Sequence, residues 1–198
     1  MKKSGLCQLI REDENKYALP NLLTVLRLVF LPFIFYFLYR HSLTGDLLAL
    51  FFMLLASLTD YLDGHFARKL NKQSQLGRML DPLIDKLAVG TTMLVLAHIK
   101  GMPFWYAGMV IARDLFLLTL GLLVISKKQF IAESNKLGKW TSTIFAMVII
   151  TFTLNIPYVK YGLMYLSVLL VPASVIGYLY KYRMHLPRMR NLFKNIFD

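Results

Sequence analysis

The chain has 198 residues, which is within the usual size of one domain. It is 57% hydrophobic and 14% aromatic, with a mean hydropathy of +0.52, and this composition is too apolar for an ordinary soluble domain. A formal charge of +12 is compatible with two anionic partners, nucleic acid and an anionic membrane surface. The long apolar runs favour the membrane and exclude a nucleic-acid-binding role.

Six apolar stretches follow one another along the chain, each close to the roughly 20 residues that a membrane-spanning helix needs. Backbone groups in lipid must be hydrogen-bonded within their own segment, so we predict an all-α integral membrane fold with six transmembrane helices in one bundle. The fifth stretch is the weakest, because Asn155-Ile156-Pro157 is expected to begin a loop. The predicted spans are 21–39, 47–66, 83–99, 103–125, 140–159 and 161–180.

The segments outside the spans are polar and basic. Residues 1–19 are predicted to form a cytosolic juxtamembrane segment, either amphipathic and lying on the membrane or simply polar. Residues 20–182 form the six-helix domain and residues 183–198 a basic cytosolic tail. Charged residues interrupt the first twenty positions, which therefore do not resemble a cleaved signal peptide. A single cysteine, Cys7, excludes an internal disulfide and fits a reducing compartment.

The distribution of lysine and arginine predicts the orientation. Seventeen lie in the N-terminal segment, the second-to-third connection, the fourth-to-fifth connection and the tail, whereas the other side carries three. Basic residues accumulate on the cytosolic side of membrane proteins. We therefore expect a multi-pass protein of the plasma membrane, or of the inner membrane in a bacterium, with both termini in the cytosol.

One pair of aspartates lies near the end of the second predicted helix, and another pair lies at the start of the third. Asp60 and Asp63 are three residues apart and share one helix face, as do Asp81 and Asp85, which are four apart. The short basic connection 69–80 is expected to fold these helices side by side, so that the four carboxylates can converge.

Pro82 lies between the residues of the second pair. It fits the first turn of the third helix with Asp81 as the helix cap, or else a local kink.

Carboxylates at membrane depth are energetically costly and normally indicate function. Four close carboxylates cannot all stay ionised without counter-charge, and the hard cations Mg²⁺ and Mn²⁺ prefer such oxygen ligands. The alternatives are a charge pair at a helix end and the ion pathway of a cation transporter. A transporter would be expected to show an inverted repeat or broken helices, and neither is apparent.

The complete spacing, D-x-x-D-G-x-x-A-R-x8-G-x-x-x-D-x-x-x-D, resembles the signature of the CDP-alcohol phosphatidyltransferase family. Residues 20–27 read P-N-L-L-T-x-x-R and residues 136–141 read K-L-G-K-x-T, and both extend the resemblance. The signature positions matched are Asp60, Asp63, Gly64, Ala67, Arg68, Gly77, Asp81 and Asp85.

The resemblance implies a two-metal site of Mg²⁺ or Mn²⁺ on the four aspartates. It assigns Asp60, Asp63 and Asp81 to one ion, and Asp60, Asp81 and Asp85 to the second. Asp85 is also implied to be the base that acts on the acceptor hydroxyl. The CDP-lipid is implied to contact Asp60 and Asp63 and the motif residues Gly64, Ala67, Arg68 and Gly77.

The implied reaction transfers a phosphatidyl group from CDP-diacylglycerol to an alcohol and releases CMP. Family members are typically homodimers whose active site opens to the cytosol. Basic residues suggest an anionic glycerol-type acceptor, bound by Arg27, Arg113, Lys136 and Lys139.

The resemblance leaves two acceptors open, one from each of two branches of the family. The motifs at 20–27 and 136–141 favour glycerol 3-phosphate, which gives phosphatidylglycerophosphate. The pair Arg113-Asp114 instead resembles the cardiolipin synthases, whose acceptor is phosphatidylglycerol. A structural ion-pair network is the alternative for Arg113 and Asp114.

Overall fold

A computed structural model of the chain describes residues 19–70, 75–126 and 136–185. These residues form six α-helices, and no strand occurs among them, so the all-helical prediction is confirmed for the described part of the chain. The helices are α1 (Leu19–Leu38), α2 (Leu43–Leu70), α3 (Gln75–Ile99), α4 (Phe104–Ser126), α5 (Lys136–Thr153) and α6 (Val159–His185).

The second and third helices are longer than the apolar runs that predict them. Helix α2 continues to Leu70 and α3 begins at Gln75, so residues 71–74 alone separate them, in place of the longer connection expected. Pro82 consequently lies about two turns inside α3, and the prediction that Asp81 caps this helix is wrong. Polar and charged residues such as Arg68 and Lys69 are good helix formers and can prolong a helix beyond its apolar part.

The turn between α5 and α6 begins where the sequence predicts it. Asn155 adopts a left-handed backbone conformation with φ of 52°, and the Ile156 amide donates to the Thr151 carbonyl at 3.0 Å. Asparagine tolerates this conformation better than most residues, and such bonds satisfy the last carbonyls of a helix. The predicted fifth span, 140–159, therefore ends too late, because α5 stops at Thr153.

The chain forms two compact units, Met1–Ala107 and Gly108–Asp198. In the first, α1 packs against both α2 and α3. Phe52 of α2 stacks on Phe33 and Phe37 of α1, with ring centroids 5.3 and 5.6 Å apart. In the second unit, α5 packs against α6.

A buried ion pair connects the beginning of α2 to the end of α3. The Lys100 ammonium, just after α3, donates to both carboxylate oxygens of Asp46, in the first turn of α2, at 2.6 and 2.7 Å. About one tenth of each side chain is exposed. Since these two ends meet and residues 71–74 join the other two ends, α2 and α3 run in opposite directions.

A tight turn joins α1 to α2 and requires a glycine. The Ser42 hydroxyl accepts a hydrogen bond from the Gly45 amide at 3.1 Å, which satisfies a free donor at the start of α2. A Cβ atom added at Gly45 would lie 2.6 Å from the Phe37 carbonyl oxygen. Backbone atoms cannot move aside as a flexible side chain can, so α1 and α2 approach closely only because residue 45 has no side chain.

Gly45→Ala should therefore destabilise the first unit by about 1–3 kcal/mol, the usual range for inserting a methyl group into a packed site. A lower midpoint of thermal unfolding in detergent would confirm it. Gly162→Ala is the matched control, because a Cβ at Gly162 of α6 would meet nothing within 4 Å. Equal midpoints for the two variants would contradict the close approach at Gly45.

One helical stretch among the described residues, Val159–Leu179, is long and apolar enough to cross a membrane by length and composition. Only 22% of its most apolar part is buried within the chain, so side chains such as Leu169 and Ile176 face outward. Two shorter apolar stretches are Leu26–Leu38 and Leu43–Thr59.

Candidate active site

The two aspartate pairs lie on consecutive antiparallel helices, Asp60 and Asp63 on α2 and Asp81 and Asp85 on α3. Distances along each helix can be counted from the Asp46–Lys100 ion pair. At about 1.5 Å per residue, Asp60 and Asp63 lie about 21 and 26 Å from Asp46, and Asp85 and Asp81 lie about 23 and 29 Å from Lys100.

All four positions therefore lie in the half of the α2–α3 hairpin that contains the short connection, with Asp60 and Asp85 each about 15 Å from the helix ends there. At most about 3.6 Å per residue, five peptide units between Leu70 and Gln75 span no more than about 18 Å, which keeps these helix ends close together.

The backbone of the remaining motif residues is helical throughout. Gly64, Ala67 and Arg68 continue α2 after the first aspartate pair, and Gly77 lies in the first turn of α3. The side chains of Asp60, Asp63, Ala67, Arg68, Asp81 and Lys136 lie outside the described residues.

Asp85 is the one aspartate of the motif whose side chain is described, and it forms an ion pair with Arg27. Nη1 of Arg27, on α1, contacts Oδ1 of Asp85, on α3. The Arg27 side chain is 5% exposed and the Asp85 side chain 38% exposed. From the sequence, Asp85 is predicted to be a metal ligand and the base on the acceptor hydroxyl, and Arg27 to bind the acceptor, with no contact predicted between them. The signal in the sequence that could have predicted this ion pair is the presence of two opposite charges within apolar segments.

Arg113 and Asp114 form a buried cluster in the second unit. Arg113 Nη1 donates to Asp114 Oδ1 at 2.7 Å, Nη2 lies 3.5 Å from the Ser174 hydroxyl, and the guanidinium lies 5.6 Å from the Phe145 ring centroid. Arg113 Nε is buried and has no hydrogen-bond partner among the residues that the structure describes. These contacts match the alternative of a structural ion-pair network, and the acceptor role of Arg113 stays a prediction.

The K-L-G-K motif occupies the first turn of α5, and its Gly138 lies against α6. A Cβ at Gly138 would lie 2.8 Å from Tyr178 Cε2, so the absence of a side chain there lets the Tyr178 ring lie directly on the α5 backbone. Lys139, the next residue, is exposed. An exposed ammonium at the start of a helix is available to an anionic ligand, which agrees with the predicted role of Lys139 without testing it.

Residues 17–173 match the CDP-alcohol phosphatidyltransferase family. A Drosophila melanogaster protein named "Probable cardiolipin synthase (CMP-forming)" is 39% identical over 117 residues, which are 58% of this chain and 35% of that protein. A CDP-diacylglycerol–glycerol-3-phosphate 3-phosphatidyltransferase of Cereibacter sphaeroides is 34% identical over 131 residues, 64% of this chain and 59% of the relative.

A protein of the same name from Aquifex aeolicus is 34% identical over 128 residues, 62% of this chain and 68% of the relative. The matches to the Drosophila and Cereibacter relatives span about a third and three fifths of those proteins. The family match covers most of the chain and includes every motif residue from Asp60 to Asp85. The resemblance seen in the sequence is thereby confirmed, and the chain belongs to the CDP-alcohol phosphatidyltransferase family.

Proposed function

We propose that this protein transfers a phosphatidyl group from CDP-diacylglycerol to an alcohol and releases CMP. The observation that carries the proposal is the complete aspartate motif in one half of the α2–α3 hairpin, within the part of the chain that matches the family. Both names found among the relatives above, 3-phosphatidyltransferase and CMP-forming cardiolipin synthase, denote proteins of this reaction class.

The donor set fits a pair of divalent cations. It consists of carboxylate oxygens, which Mg²⁺ and Mn²⁺ prefer, and the antiparallel arrangement of α2 and α3 supports convergence of all four carboxylates. Asp60, Asp63 and Asp81 would hold one ion, with Asp85 contributing beside it to a second. Such ions, when bound, would neutralise diphosphate charge and clamp the attacking and leaving oxygens in line.

The protein's own residues would position the reactants and accept one proton. Gly64 and Ala67 would let the cytidine nucleotide lie close to α2, and Arg68 would face its diphosphate. Asp85 would take the proton of the acceptor hydroxyl. The hydroxyl oxygen would then bond to the lipid-side phosphorus, and the bond from that phosphorus to the bridging oxygen would break, so that CMP leaves with the electron pair.

Glycerol 3-phosphate is the acceptor we favour, with phosphatidylglycerophosphate as the product. The exposed Lys139 and the two motifs at 20–27 and 136–141 support an anionic acceptor of this type. The Arg113-Asp114 dipeptide and the similarity to the Drosophila protein named as a probable cardiolipin synthase support the alternative, phosphatidylglycerol as acceptor and cardiolipin as product.

Incubation of purified protein with CDP-diacylglycerol, Mg²⁺ and each acceptor in turn tests both points. We expect CMP release that depends on glycerol 3-phosphate, and a lipid product with the mass of phosphatidylglycerophosphate. Formation of cardiolipin from phosphatidylglycerol would show that our choice of acceptor is wrong and that the reaction class is right. An absence of CMP with every acceptor would reject the reaction and favour a cation pathway through the aspartates.

We also propose that the six helices span a membrane, with the active site and both termini in the cytosol, and that the protein is a homodimer. The outward-facing apolar side chains of Val159–Leu179 and the asymmetry of basic residues support the membrane topology. Single cysteines introduced at Lys3 or Asn195 of a Cys7→Ser variant should be labelled in sealed inside-out vesicles, and protection of either would reject the topology. A monomeric mass in detergent would reject the dimer.

A further inference from the structure

Arg27 reaches Asp85 from the interior of the first unit. Arg27 is 4% exposed, whereas more than a third of the Asp85 side chain is open, so the ion pair occupies the buried side of the carboxylate. A guanidinium buried in an apolar unit requires a carboxylate or a comparable acceptor, because an uncompensated charge there is strongly unfavourable. Arg27 and Asp85 therefore fix one another across the α1–α3 contact.

The contact restricts the orientation of the Asp85 carboxylate. Nη1 of Arg27 contacts Oδ1, and rotation of the carboxylate would break this contact. The planar guanidinium is always charged and has a fixed donor geometry, which makes it a better orienting group than a flexible ammonium. The Asp85 side chain is 38% exposed, so part of the carboxylate stays open while Oδ1 is engaged.

We propose that Arg27 is a positioning residue, which holds Oδ1 of Asp85 so that Oδ2 faces the acceptor hydroxyl. This inference rests on the proposed role of Asp85 as the base. It gives Arg27 a role other than the acceptor binding that the sequence predicts. Misplacing a reacting group by about 1 Å can reduce a rate on the order of 10²-fold, so removing the orienting contact should reduce turnover by that order.

Arg27→Gln removes the charge and keeps much of the side chain. We expect a fall in kcat of about 10–10²-fold, with the KM values for CDP-diacylglycerol and glycerol 3-phosphate each within about twofold of wild type. Arg27→Lys should recover part of the loss, because it keeps the charge without the planar geometry. Arg40→Gln is the control on the same segment, since Arg40 is exposed and contacts the Tyr36 ring, and its kcat should equal that of wild type.

A double-mutant cycle separates positioning from an independent role. If Arg27 acts through Asp85, then Arg27→Gln should cause no further loss of kcat in an Asp85→Asn background. The proposal is overturned if the kcat losses of the two single variants multiply in the double variant. It is also overturned if Arg27→Gln raises the KM for the acceptor and leaves kcat unchanged, because Arg27 would then be a binding residue. Mn²⁺ binding, followed by the electron paramagnetic resonance of free Mn²⁺, should be unaltered in Arg27→Gln, and a loss of binding would also overturn it.

Arg27→Gln could fail to fold, and thermal unfolding of each variant reveals this. The cycle is then run with Arg27→Lys, for which we expect a smaller fall in kcat at unchanged KM and the same lack of additivity with Asp85→Asn. The failure of this inference is distinct from a failure of the proposed function. An inactive wild-type protein rejects the transferase, whereas an active wild type with independent Arg27 and Asp85 effects rejects the positioning role alone.

Discussion

Asp81→Asn should reduce CMP release from CDP-diacylglycerol by at least about 10³-fold, because several kcal/mol of transition-state stabilisation depends on bound cations. Asp81 is assigned to both ions of the proposed pair, and an amide is a neutral and weaker ligand than a carboxylate. Asp60→Asn should have the same effect for the same reason. Radiolabelled CMP released from the CDP-lipid measures both variants directly.

Removal of the cations should reproduce the effect of these substitutions in the unaltered protein. EDTA should abolish transfer, and excess Mg²⁺ or Mn²⁺ should restore it. The control for the Asp81 and Asp60 substitutions is Asp13→Asn, which also removes a carboxylate. Asp13 lies in the N-terminal segment, far from the motif in sequence. Full turnover in EDTA would mean that the four aspartates serve some purpose other than metal binding.

Asp85→Asn should lower kcat by about 10²–10⁴-fold, the usual contribution of general acid–base catalysis, and leave much of the CDP-lipid binding intact. Asp60, Asp63 and Asp81 would still hold the first ion in this variant. The amide cannot take the hydroxyl proton, so the chemical step should suffer more than substrate binding. Single-turnover rates together with CDP-diacylglycerol binding isotherms would separate the two.

Loss of the second cation could produce the same fall in kcat. A Mn²⁺ titration of Asp85→Asn distinguishes these causes, because high Mn²⁺ restores a ligand defect and does not restore a missing base. Recovery would assign Asp85 to ligation, and a persistent loss would assign it to proton transfer. Turnover near that of wild type at ordinary Mg²⁺ would exclude both roles.

Hydropathy predicts the number and order of the helices well and some of their ends poorly. The α5–α6 turn was predictable, because Asn155 and Pro157 have local conformational preferences that stop a helix. The extension of α2 to Leu70 was not, since Arg68 and Lys69 are polar and an apolar count stops before them. Hydropathy measures transfer into lipid, whereas helix formation depends on backbone hydrogen bonds that charged residues also support.

Much of the candidate site was predictable, because the aspartate spacing places each pair on one helix face. The position of one aspartate pair relative to the other was harder to predict, since it depends on a contact between Asp46 and Lys100, which are 54 residues apart in the sequence. The Arg27–Asp85 ion pair likewise joins α1 to α3 through packing that no periodicity encodes. Local patterns therefore identify the candidate functional groups, and long-range contacts determine which of them meet.

The Asp46–Lys100 ion pair also limits how α2 and α3 can slide past each other. A shift of one helical turn, about 5.4 Å, would separate the ammonium from both carboxylate oxygens and leave two buried charges unpaired. Breaking such a pair by loss of one partner typically costs about 3–5 kcal/mol. The register of the two helices that carry the aspartate motif is thus determined more than about 20 Å from those aspartates.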